Sequence, residues 1–247
     1  MVIKQRFKLH IQYDGTHFSG WQKQPEGRTV EGVIEKALST LYQMDIDVIG
    51  QGRTDAGVHA LQQVAHVDLP VKYNEKRIIH AMRGLLPEDV SIYGINKTDS
   101  EFHARFDAIS RTYSYRIANR PIPIDRHKIW YYFHDVNLEL LKECAESILG
   151  EHDFLQFCIA NENPKLTTTC TITESRWRNK EGILIYTING NRFLRHMVRR
   201  LVGTMMEVSA GKLSLKQFEG MLIEPLNKIP AYSAPAYGLI LESVEYP

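Results

Sequence analysis

Two short segments hold most of the side chains that could do chemistry. In residues 51–60, QGRTDAGVHA, Asp55 is followed by Ala56 and Gly57, so a ligand could approach its carboxylate closely. Arg53, two positions earlier, could keep that carboxylate ionised by lowering its pKa. An ionised, oriented carboxylate is a usable nucleophile or base. The same residues also fit a polar turn in which Asp55 bonds its own backbone and Arg53 faces water. The second segment is residues 192–202. At 100° per residue, Phe193, Leu194, Met197, Val198, Leu201 and Val202 fill one helical arc of about 180°. Arg192, Arg195, His196, Arg199 and Arg200 fill the other, with no acidic residue among them. An exposed helix normally mixes signs to gain i,i+4 pairs. A face of one sign suits an anion, and phosphate matches the bidentate fork of arginine. A solvated face, or pairing with carboxylates elsewhere in the fold, would give the same pattern.

Other chemistries find no motif. There is no G-x-x-x-x-G-K-[ST], no G-x-G-x-x-G, no G-x-S-x-G and no H-E-x-x-H. His59 and His66 are seven apart on an apparent strand and so point to opposite faces. Cys144, Cys158 and Cys170 form no C-x-x-C pair, which argues against a zinc site or a disulfide scaffold. No metal site is expected. Tyr113, Phe154 and Phe157 could stack a nucleobase, although core packing is the commoner fate of aromatic residues.

These residues need a frame. Phe7, Leu9, Ile11 and Tyr13 alternate as a strand, ended by an Asp14-Gly15 turn. Thr29 is a candidate N-cap for a helix with Val30, Val33, Ile34, Ala37, Leu38, Leu41 and Tyr42 on one face. Strands are expected over 45–49 and 64–69, with the Asp55 loop between them. A second unit begins near Arg111, where Tyr113, Tyr115 and Ile117 share a strand face. Asn137 caps a further helix, TCTITESRWR and ILIYTI read as a hairpin, and a helix is expected from about 191 to 208. Ser214-x-x-Gln217 is a capping box for a short helix, and a last strand is expected over 239–244. Alternating strands and helices argue for two similar α/β (α+β) domains, 1–107 and 108–247.

With 247 residues, 43% hydrophobic and 24% charged, the chain reads as an ordinary soluble protein. No apolar run approaches the ~18 residues of a membrane span, and MVIKQRFKLH lacks the apolar core of a signal peptide. A cytoplasmic location is the simplest expectation. The net charge of +1 is unevenly spread. Residues 1–110 carry 13 basic and 14 acidic residues, residues 111–200 carry 14 and 10, and residues 201–247 carry 3 and 5. An anionic partner is therefore expected to meet the middle of the chain.

Several blocks taken together resemble the tRNA pseudouridine synthase A family. They are YDGTHFSGWQKQPEGRTV, GRTDAGVHA, FHARFDAISRTYSYRI, HDF, FLRHMVRRLVGTMMEV and APAYGLIL. The resemblance implies isomerisation of uridine to pseudouridine at positions 38–40 of the tRNA anticodon arm, without metal or organic cofactor. It implies that Asp55 is the catalytic carboxylate, attacking either uracil C6 or ribose C1′. Arg53 would orient Asp55 and fill the space of the flipped nucleotide. Tyr113 would stack on the flipped base, Arg199 would pair with Asp55, and Leu239 would line the pocket. Arg192, Arg195, His196 and Arg200 would then contact RNA. The implied fold has helices outside a joined, mainly antiparallel or mixed sheet, with the active-site cleft between the domains, and the implied assembly is a homodimer. Three features depart from the family pattern: Cys170 where a basic residue is usual, Leu226-Asn227 in place of Asp-Arg, and Tyr232 at a small position. Losing a phosphate-contacting arginine at position 170 would flatten the salt dependence of RNA binding by about one unit of slope. A non-catalytic RNA-binding paralogue and the same chemistry on another RNA are the alternatives; intact Asp55 argues against the first.

Overall fold

The computed structural model describes residues 3–159, 167–223 and 229–247. The chain forms two compact units, Met1–Ile109 with Leu241–Pro247, and Ser110–Ile240. Both are mixed α/β.

In the first unit, β1 (Lys4–Tyr13) runs antiparallel to β3 (His59–Pro70) on one side and to β4 (Val90–Lys97) on the other. The alternation in β1 works as expected, with Phe7, Leu9, Ile11 and Tyr13 all buried. Thr29 accepts from the Gly32 amide and caps α1 (Val30–Tyr42), whose buried stripe includes Val30, Ile34, Ala37, Leu38 and Tyr42. The strand expected over 45–49 is β2, and it starts only at Val48 (Val48–Gly50). The residues before it are held by side chains: Ser39 Oγ accepts from the Ile46 amide, and buried Glu35 accepts from the Val48 amide. The strand expected over 64–69 is longer in both directions. α2 (Glu75–Leu85), capped by Asn74, and β4 had no counterpart in the sequence reading. The buried face of α2 includes only Ile78 and Met82, too few apolar positions to register as a stripe.

In the second unit, β5 (Ser110–Ala118) pairs antiparallel with β9 (Ile183–Gly190) and parallel with the short β6 (Trp130–Tyr131). The order continues through β8 (Thr169–Lys180) to β7 (Gly150–Asp153). The β8–β9 hairpin closes through Glu181 and Gly182, both at positive φ, which matches the right-handed twist of its strands. Asn137 accepts from the Glu139 and Leu140 amides to cap α3 (Leu138–Ser147). α4 covers Met197–Ser209, and α5 (Leu215–Ile223) opens on the predicted box, in which Ser214 and Gln217 bond each other's amides.

The helix expected from about 191 therefore starts six residues later. His196 takes a left-handed backbone with φ of 64°, and Asn191 is tied by its amide and side chain to Thr171. Arg192, Arg195 and His196 precede the helix, and only Arg199 and Arg200 ride on its first turn. The single cationic arc inferred from the sequence is thus divided between a loop and a helix.

The last strand, β10 (Leu239–Glu245), lies beside β3. The contacts place Leu241–Pro247 with the first unit, whereas the division at 107/108 assigned them to the second. Ile109 donates its amide to Glu245 O, and Tyr246 Oη donates to Ala104 O at 2.6 Å beneath the Lys8 ammonium.

His66 on β3 is buried and accepts the Ala104 amide through Nδ1 at 3.1 Å. Burial first, and then Arg6 and His103, push its pKa down to about 4. The unfolded imidazole titrates near 6.5, so the unfolded chain binds more protons between those values. The stabilisation is complete above about pH 6.5 and is lost as pH falls towards 4. The loss amounts to at most about 3 kcal/mol. Urea midpoints recorded across this window should fall steeply with acid in the wild type and less steeply in His66→Gln.

Candidate active site

The Asp55 loop joins β2 to β3 and is pinned to β3 where it leaves β2. The Gln51 amide donates to Val64 O at 2.8 Å, and Gln63 Nε2 donates to Gly52 O. In the middle, Thr54 O accepts the Trp21 amide at 3.2 Å, while Thr54 Oγ1 lies 2.8 Å from Tyr13 Oη in a buried bond. The Gly57 amide donates to Phe18 O, and the Val58 amide closes a turn onto Asp55 O. Backbone groups of the loop thus find partners in the segment that follows β1, as buried peptide groups must.

That segment can lie so close because it lacks side chains at two points. A Cβ on Gly15 would stand 2.0 Å from Val58 O. Gly20 has a φ of +98°, and a Cβ there would stand 2.6 Å from Thr54 O. Asp14 turns the chain into this approach, accepting from the Thr16 amide and hydroxyl, and His59 Nδ1 accepts the Gly15 amide at 3.0 Å. Trp21, only 2% exposed, fills the space behind. The result is a rigid bed with Asp55 half-buried on top and Arg53 and Ala56 exposed beside it. Arg53 is also an electrostatic neighbour of Glu31. Burial raises the Glu31 pKa, while the Lys23 amide and, more weakly, Arg53 pull it back.

The other expected site residues lie in the second unit. Tyr113 on β5 is 9% exposed, with its ring edge-to-face against Phe193 at 5.2 Å. Arg199 donates Nε to Ala234 O at 2.9 Å and accepts the Ala234 amide on its own carbonyl, so residue 234 is latched to the first turn of α4. Next to this latch, Tyr115 Oη donates to Pro235 O at 2.7 Å. Burial pushes the Tyr115 phenol well up, Tyr237 adds to the rise, and Arg199 opposes it. Leu239 is buried at the start of β10. Arg200 donates to Cys158 O at 2.6 Å, so one nitrogen of this candidate RNA contact is committed within the fold. Arg195 is exposed, and its carbonyl accepts the Ile159 amide.

Two departures from the family pattern take a definite form, and the third, at Leu226-Asn227, lies outside the described residues. Cys170 is fully buried on β8 opposite His152, with its thiol pushed up to about 11 by burial. In this chain the position faces the core, so it is no lost surface contact. Tyr232 lays its backbone on Gly203, where a Cβ would stand 2.3 Å from Tyr232 O, and its amide donates to Thr204 Oγ1. Its side chain is 45% exposed, which is how a bulky residue fits there. The sequence reading missed the Tyr13–Thr54 bond, the Gly15 and Gly20 approaches and the Arg199–Ala234 latch. Asp14-Gly15 reads as a turn from the sequence, but nothing local reveals what a turn packs against. Among the described residues no group of three or more His, Cys, Asp or Glu could hold a metal ion, and no helix is long and apolar enough to cross a membrane.

The family described as tRNA pseudouridine synthase matches residues 9–107 and 144–247. These stretches include Asp55 and Arg199 but not Tyr113. Among curated proteins, the tRNA pseudouridine synthase A of Bacteroides thetaiotaomicron is 38% identical over 246 residues, 98% of this chain and 91% of the relative. That of Bacteroides fragilis is 39% identical over 98% of this chain and 97% of its own. That of Azobacteroides pseudotrichonymphae is 40% identical over 244 residues, again 98% and 97%.

The bed under Asp55 makes a graded prediction for stability. Tyr13→Phe removes one buried hydroxyl bond and should cost about 1 kcal/mol in urea denaturation. Gly20→Ala sets a side chain at a positive φ against Thr54 O and should cost about 1–3 kcal/mol. A cost below about 0.5 kcal/mol for Gly20→Ala, the size of an ordinary surface substitution, would show that the close approach at Gly20 is not a constraint.

Proposed function

The chain belongs to the tRNA pseudouridine synthase family, and from that premise we propose that it isomerises uridine to pseudouridine at positions 38–40 of the anticodon arm, with Asp55 as the catalytic carboxylate. The observation that carries this reading is the Asp55 loop itself: a half-buried carboxylate beside small residues, on a backbone bonded at Gln51, Thr54 and Gly57. Pre-organisation of this kind suits a group that must meet one atom of a substrate.

In the reaction the N1–C1′ bond breaks, the uracil turns, a C5–C1′ bond forms, the C5 proton leaves to solvent and N1 takes up a proton, so the product is an isomer of the substrate. Asp55 attacks C6 or C1′ and is released at the end, so no oxidant or external group is consumed. A base inside a stem must first leave the stack, at a cost of about a few kcal/mol. Stacking on Tyr113 offsets part of that cost, since base–aromatic stacking contributes about 1–3 kcal/mol. Phe193 braces the Tyr113 ring edge-on, which favours a fixed stacking surface. Arg53 fills the gap left by the base, and the resemblance assigns Arg199 and Leu239 to the same step. Arg192, Arg195, His196 and Arg200 meet phosphates. A homodimer is part of the same reading, as the resemblance implies, and a cytoplasmic location is its simplest setting. No metal or organic cofactor enters any step.

Tritium release from tRNA labelled at uridine C5 tests the assignment. Wild type should release label and Asp55→Ala should not, a loss of at least about 10³-fold, while tRNA affinity changes only a few-fold. Release by Asp55→Ala at the wild-type rate would remove Asp55 from the chemistry. Binding without release by either protein would leave a non-catalytic tRNA binder.

A further inference from the structure

Residues 1–110 are slightly acidic in sum, yet the structure gathers cations on one face there. Along the outer side of α2, Lys76, Arg77, His80 and Arg83 are all exposed, and exposed Lys72 precedes the helix. Lys76, His80 and Arg83 follow i, i+4, i+7 spacing, a single stripe spanning about 10 Å. Among the described residues none of these four helix side chains makes an ion pair or side-chain hydrogen bond. Elsewhere in the unit four cations, Arg6, Lys23, Arg28 and Lys97, each pair with a carboxylate. The acidic residue on α2, Glu75, is the one that Lys97 takes. Like charges left together on a helix face repel one another, and an anionic partner would turn that cost into a gain.

The direction of α2 gives the stripe a relation to Asp55. β3 ends at Pro70, paired with Lys4 at the start of β1. After α2, the chain re-enters the sheet at Val90, paired with Tyr13 at the other end of β1. Tyr13 is the residue whose hydroxyl holds Thr54, next to Asp55. Asp89 ties the same corner, accepting the bidentate Arg28 and, on its carbonyl, the Asp14 amide. α2 therefore runs back about 16 Å along the sheet, with Arg83 at the end nearer the Asp55 loop and Lys76 at the far end.

We propose that the outer face of α2 is a docking surface for the RNA backbone, which anchors the tRNA substrate outside the target nucleotide through Lys76, Arg77 and Arg83. It rests on the tRNA reading above and extends it to a surface on the first unit. Lys76 and Arg83 flank His80 on the stripe and Arg77 stands about 100° around the helix from Lys76; exposed cations of this kind recognise phosphate without reading sequence. The surface should therefore contribute to affinity and leave the chemical step alone.

The test uses the full-length protein, an unmodified tRNA transcript and two triple variants: neutral Lys76→Gln, Arg77→Gln, Arg83→Gln, and charge-conserving Lys76→Arg, Arg77→Lys, Arg83→Lys. Dissociation constants are measured across a salt series, and turnover is measured separately at saturating tRNA. The neutral triple should weaken binding about tenfold or more near 0.1 M salt and flatten the plot of log K against log salt by about two units. Its saturated turnover should match wild type, and the charge-conserving triple should keep the wild-type slope. An unchanged slope in the neutral triple overturns the proposal. So does an equal loss in both triples, which would trace to helix shape and not to charge. A shift in sedimentation with RNA binding intact also overturns it, because the face would then meet another copy of the chain or an acidic protein. Absence of turnover in wild type would refute the isomerase reading while the salt slopes still decide the docking surface.

Discussion

The first unit depends on the close approach of two backbones, the segment from Gly15 to Trp21 and the loop from Thr54 to Val58. A catalytic carboxylate on a free loop would have to be ordered each time a substrate bound, at roughly 1–2 kcal/mol per residue fixed. Here the ordering is done on folding. The loop's carbonyl and amide groups bond the facing segment, and Gly15 and Gly20 leave room for it. Other features follow from that requirement. β1 must end at Tyr13 so that its hydroxyl reaches Thr54, and Trp21 must be buried behind the loop. The opening block and the Asp55 motif, more than thirty residues apart in sequence, are one structural object.

The second unit reaches a similar end by another device. Its ordered point is the first turn of α4, where Arg199 both donates to and accepts from residue 234. Residues 232–235 would otherwise be an extended loop with polar backbone to satisfy. Gly203 lets them lie flat on the helix, and Thr204 and Tyr115 take up the groups on either side. An arginine tied in this way loses rotational freedom at Nε while its planar fork stays directional, which is why lysine would not replace it. The bulk of Tyr232 is tolerated because only its backbone is used.

What was legible in the sequence was local. Thr29, Asn137 and the Ser214–Gln217 box announce helix starts because a capping side chain needs only the next three residues. The Glu181-Gly182 turn and the alternation of β1 and β5 are equally short-range. The Asp55 motif was legible as chemistry because its small neighbours are adjacent to it. The helix start at 197 was not, because residues 191–196 carry a helical pattern that Thr171 and Ile159 overrule from elsewhere in the fold. Nor was α2, whose two buried apolar side chains make no stripe. Cys170 shows the same limit at a single position, since its type marks a departure but only packing shows that it faces inward.

The cations divide along a physical line that charge sums conceal. Arg199 and Arg200 each have a nitrogen fixed on a backbone carbonyl, so their position is set by the fold. Contacts made from such residues hold register, because displacing the partner by an ångström breaks a directed bond. The exposed cations of α2 are held by nothing but their own helix. Their attraction is diffuse, screened by salt within about 8–10 Å, and tolerant of where a phosphate lies. An enzyme that must find one uridine within a folded RNA has use for both kinds, tolerant attraction to gather the substrate and fixed groups to place it. The block of sequence with the greatest positive excess contains the fixed kind. The tolerant kind sits in a stretch whose acidic residues cancel it in the sum, because most of those carboxylates are engaged elsewhere or lie off the helix face.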